Sequence, residues 1–156
     1  MSRSLALEIF SQVMSSLSMI GSIYIIQDVL RNPRKRKESV YHRIMLGLST
    51  FDALSSISLH FLGTWPQPKG YSLSSFGTLA TCDTTGFFTT LALIGAALYN
   101  CSLTTYFLIQ LKYNWTRSRI KDIEKWLHIV PWTVATITSV ACLAAWTYGP
   151  FLGTCW

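Results

Sequence analysis

Apolar residues gather in four runs, at about residues 7–30, 44–65, 84–111 and 126–148, separated by shorter stretches that are polar and often basic. Each run holds the roughly 20 mostly apolar residues that a helix needs to cross a bilayer. Helices suit such runs because they close their own backbone hydrogen bonds, which lipid cannot supply. The pattern predicts an all-α membrane protein with four transmembrane helices. A soluble bundle is the competing reading, but its helices would keep a charged face, and these runs do not.

Composition and charge add orientation. Of the 156 residues, 50% are hydrophobic and 13% charged, about half the charged share of soluble domains. Arg31, Arg34, Lys35, Arg36, Lys37 and Arg43 lie between the first two runs, and Lys112, Arg117, Arg119, Lys121 and Lys125 between the last two. Only Arg3 and Lys69 stand elsewhere. Basic loops stay on the cytoplasmic side, so loops 31–43 and 112–125 are expected inside, and the N-terminus, loop 66–83 and the end 149–156 outside. The expectation is a multi-pass protein of the plasma membrane with an extracellular N-terminus. The cluster "RNPRKRK" follows the first run, whereas a signal peptide carries its basic region before the apolar core. Beside a membrane helix, that cluster serves topology and attraction to anionic lipid. A cytoplasmic signalling partner is the other reading, and no nucleic-acid partner is expected.

The polar residues inside the runs are few enough to consider singly. Ser15, Ser18, Gly21 and Ser22 suggest a small-residue packing face in the first helix, as do Gly86, Gly95, Ala96 and Ala97 in the third. Asp52 lies within the second run, too deep for a short side chain to reach water. An ionisable residue at such depth is by default functional and faces the bundle interior. Asp52 and Asn100 are therefore candidate members of an intramembrane polar network. His60 is expected near the outer interface. Ser102, Thr104, Thr105 and Gln110 are placed to bond neighbouring helices, and Pro131 to fall in the first turns of the fourth. Trp126, Trp132, Trp146 and Tyr148 suit interfacial belts. The sequons at Asn100 and Asn114 lie inside the bilayer and in the cytoplasm. No clustered catalytic set is seen, so no enzymatic activity, cofactor or metal site is expected.

A short basic first loop, "LSTFD" in the second helix, Cys82 at the outer start of the third, Trp in the fourth and "CW" after it resemble a G-protein-coupled receptor over nearly the whole chain. The resemblance leans toward the cyclic-AMP-receptor-like and secretin-like branches. It departs from the rhodopsin-like branch, since "TYFLIQ" stands where that branch carries Asp-Arg-Tyr. What it implies is the N-terminal part of a seven-helix receptor bundle, with a disulfide between Cys82 and Cys155. The charge pattern independently places both cysteines outside, where disulfides persist. An extracellular ligand of unknown kind and, for the full-length protein, a heterotrimeric G protein are the implied partners. Coupling needs helices beyond the fourth to move, so the chain is expected to be a fragment, or a short product pairing with longer partners, unable to signal alone. A complete four-helix membrane scaffold is the alternative.

Overall fold

A computed structural model describes residues 2–58, 67–69, 76–113, 117–151 and 154–155. The elements are α1 (Ser2–Arg31), α2 (Pro33–Glu38), α3 (Val40–Ser56), α4 (Leu79–Lys112), α5 (Arg117–Ala144), β1 (Pro150–Phe151) and β2 (Thr154–Cys155). The architecture is an all-α bundle of four long helices. The two strands form a minimal antiparallel pair, with Pro150 opposite Cys155 and Phe151 opposite Thr154. Val13–Arg31, Leu79–Lys112 and Arg119–Ala144 are each long and apolar enough to cross a membrane, which makes this a multi-pass membrane protein. The described part of α3 has 17 residues, and residues 59–65 of the second apolar run lie outside the described ones, His60 among them.

The helix ends follow from local chemistry. Asn32 closes α1 by donating from Nδ2 to both the carbonyl and the carboxylate of Asp28, at 3.0 Å each. Pro33 then opens α2, at a position where a missing amide costs nothing. Thr78 and Thr81 form a reciprocal capping box at the start of α4. α5 ends where Trp146 adopts a left-handed φ of 52°. There the Thr147 amide reaches back 3.1 Å to the carbonyl of Cys142, a Schellman-type closure.

α5 begins at Arg117, well before the apolar run. Ile120 and Leu127 are buried and Ile123 packs against the same core, so "RSRIKDIEKW" presents an apolar stripe to the bundle at helical spacing. Pro131, expected in the first turns, consequently sits well inside the helix.

Successive long helices run in opposite directions. α4 packs against both α3 and α5, and α1 packs on α3. The core is built from Val40, Ile44, Leu48 and Phe51 of α3, Leu91 and Tyr99 of α4, and Ile120, Leu127 and Ala135 of α5. Two glycines bring α3 and α4 together reciprocally. A Cβ on Gly47 would collide with the Tyr99 ring, and one on Gly95 with the Phe51 ring. Each helix thus inserts an aromatic ring into a gap left by the other's glycine, the use of small residues that lipid-embedded helices favour. On α1, Ser15, Ser22 and Val29 are buried. Ser18 and Gly21 are exposed, so the four small residues do not share one buried face; the buried stripe recurs every seventh residue.

Candidate functional site at the basic end of the bundle

The basic residues between α1 and α3 and those at the end of α4 and the start of α5 lie at one end of the bundle, and the Cys82–Cys155 disulfide joins the start of α4 to β2 at the other. Polar contacts between helices concentrate toward the basic end. Arg43, in the first turn of α3, grips Glu124 of α5 with two nitrogens: Nε meets Oε1, and Nη2 donates to Oε2 at 2.7 Å. Its Nη1 donates to the carbonyl of Lys37 in α2 at 3.0 Å. A guanidinium matches a carboxylate in this forked geometry, which fixes orientation as well as charge. Both side chains are largely buried, 24% and 15% exposed.

The network continues along α5. His128, one turn after Glu124, holds Nε2 3.9 Å from Oε1 of that residue. Its Nδ1 lies 3.0 Å from the hydroxyl of Tyr99 on α4. Above it, the Phe51 ring lies 5.5 Å from Tyr99 and 4.7 Å from Trp132, centroid to centroid. Arg43, Glu124, His128 and Tyr99 therefore tie three helices together through charge-assisted and neutral hydrogen bonds.

A second crossing depends on proline chemistry. Pro131 has no amide hydrogen, so the carbonyl of Leu127 loses its partner within the helix. The Ser102 hydroxyl of α4 donates to that carbonyl at 3.0 Å. A neighbouring helix thus satisfies a backbone group that lipid would leave bare.

The residues expected to be functional are distributed differently. Asp52 is half-buried on α3, and among the described residues none donates to its carboxylate. Asn100 is exposed and turns its Nδ2 back to the carbonyl of Ala96 at 3.1 Å, so no hydrogen bond joins it to Asp52. Thr104 and Thr105 likewise bond the carbonyls one turn earlier on their own helix. Of the hydroxyls expected to reach other helices, Ser102 does so. Trp132 is exposed, and one side of its ring packs on Phe51. Among the basic candidates, Arg43 enters the network. Arg31, Arg34, Lys37, Lys112, Arg119, Lys121 and Lys125 are exposed. The side chains of Lys35, Arg36 and Arg117, and residue Trp156, lie outside the described residues.

Glu124, His128, Tyr99 and Gly47 were not among the sequence-derived candidates. Glu124 was legible in principle, as one of two acids, with Asp122, in a basic stretch and one turn from a histidine. At the opposite end, Cys82 and Cys155 are fully buried, with their Cα atoms 5.1 Å apart. Cys101 and Cys142 are free thiols.

The ascaroside receptor GPR2 of Arthrobotrys oligospora is 26% identical to this chain over 141 residues, covering 90% of the chain and 34% of that receptor. The chain thus spans about a third of the length of this relative. No family model matches the chain, and no solved structure matches it.

Proposed function

We infer that the chain forms the first four helices of a seven-helix receptor of the G-protein-coupled type, acting in signal transduction at the plasma membrane. The observation that carries this reading is the position of the Cys82–Cys155 bond, at the end of the bundle opposite both groups of basic residues. With the basic end in the cytoplasm, the bond lies outside, where oxidation is stable. Similarity to a protein named as a receptor supports the same reading. An ascaroside, the ligand class in that name, is the first ligand to test, and a heterotrimeric G protein the first partner. The Cys-Trp pair after α5 keeps the cyclic-AMP-receptor-like and secretin-like branches foremost.

Signalling in this reading requires helices beyond these residues. A chimera tests it: residues 1–156 replace the matching part of the Arthrobotrys receptor, and G-protein activation by ascaroside is measured in cells. The expected result is a response above the empty-vector control for the chimera and none for residues 1–156 alone. A chimera that reaches the surface yet stays silent, or robust activation by the 156 residues alone, would overturn the reading.

A further inference from the structure

α3 and α5 start at the same end and both lean on α4, but they meet each other at two separated places. Arg43 grips Glu124 at the basic end, and Phe51 meets Trp132 farther along. Eight residues of α3 separate these contacts, about 12 Å of helix. Between them opens a groove of about 610 Å³. The Gly47 backbone lines it between Leu46, Thr50 and Trp132; His128 and the ion-paired Arg43 complete the lining, and Lys37 stands at the basic mouth. The Thr50 hydroxyl is spent on the carbonyl of Leu46 at 2.7 Å, so it offers the groove no donor. The groove opens on the outside of the bundle, where a membrane helix pair meets lipid.

Charge decides the occupant. The Arg43 charge is matched by Glu124. Among the described residues none pairs with the Lys37 ammonium, and Arg31 and Arg34, on the same linker side of the bundle, add positive potential at the same end. An acyl chain satisfies the walls, and an anionic headgroup satisfies the mouth. We propose that the α3–α5 groove is a binding site for an anionic phospholipid of the cytoplasmic leaflet, its phosphate at Lys37 and one acyl chain lying along Gly47 and Thr50 toward Trp132. The proposal rests on the membrane orientation inferred above and is independent of whether the protein signals.

Native mass spectrometry of the full 156-residue chain in neutral detergent tests it, with dioleoyl phosphatidylglycerol and dioleoyl phosphatidylcholine as competing probes. Wild type should retain phosphatidylglycerol several-fold over phosphatidylcholine. Lys37→Ala should lower that preference about fivefold, the worth of one lysine near a headgroup. Thr50→Trp, which fills the groove, should reduce both adducts, while Lys121→Ala, away from the groove lining, should change little. Equal retention of the two lipids, an equal loss in Lys121→Ala and Lys37→Ala, or undiminished binding by a folded Thr50→Trp would overturn the proposal. Helicity and melting are followed for each variant. If Thr50→Trp does not fold, the contrast between Lys37→Ala and Lys121→Ala decides. Alkaline extraction of the wild-type chain from membranes would separately sink the membrane reading, so the two failures are distinguishable.

Discussion

Pro131 withdraws one amide from α5, and the consequence falls on a residue of another helix. The Ser102 hydroxyl serves the carbonyl that Pro131 leaves open. Ser102→Ala should destabilise the detergent-solubilised protein by about 1–2 kcal/mol, the cost of an orphaned buried acceptor. In a Pro131→Ala background the penalty should fall to less than half, because the helix regains its own donor. A double-mutant cycle by thermal melting measures this coupling, and additive effects would show that the hydroxyl does not answer the proline. Arg43 and Glu124 offer a second case. Glu124→Ala should cost about 1–3 kcal/mol, less than a fully buried pair because both groups keep some exposure. Exchanging the two charges in Arg43→Glu/Glu124→Arg should recover part of the loss. Such pairings were hard to read in the sequence because residue type states what a side chain can bond, and only the fold states which acceptor is nearest. Asn100, Thr104 and Thr105 show this, each finding a carbonyl one turn back on its own helix.

At the scale of the helices, the apolar runs were legible because a membrane forces them to be long and nearly free of charge. Their beginnings were less so. Hydropathy marks where lipid starts, whereas α5 starts where an amphipathic linker first packs on the bundle, at Arg117. The close approach of α3 and α4 was half legible: Gly95 stood out among small neighbours, while Gly47 in "MLGLS" carried no such signal. Gly47→Val and Gly95→Val should each cost about 1–3 kcal/mol by overpacking, read as lower melting temperatures in detergent. Gly21 has open space around its Cα. Gly21→Ala should therefore be neutral, or stabilising by up to about 1 kcal/mol through reduced chain entropy. A comparable loss at all three positions would mean that glycine content, not the ring contacts, sets the effect.

For the whole molecule, sorted charge and two distant cysteines carried more information than any local motif. The bond between Cys82 and Cys155 spans a sequence separation of 73 and fastens the strand pair to the start of α4. Non-reducing peptide mapping of surface-expressed protein should recover these cysteines as one linked pair, with Cys101 and Cys142 free. Cys155→Ser should lower stability by roughly 2–4 kcal/mol and reduce delivery to the surface; free thiols at both Cys82 and Cys155 in surface protein would contradict the reading.

The Ser102–Leu127 contact also bears on how the protein is made. During synthesis α5 leaves the translocon with a carbonyl that neither its own backbone nor lipid can satisfy, and α4, connected to it by a short linker, is the neighbour that can. The two should therefore enter the bilayer as a hairpin. In a glycosylation-based insertion assay, α5 alone should insert less completely than α5 preceded by α4, and Pro131→Ala should narrow that gap.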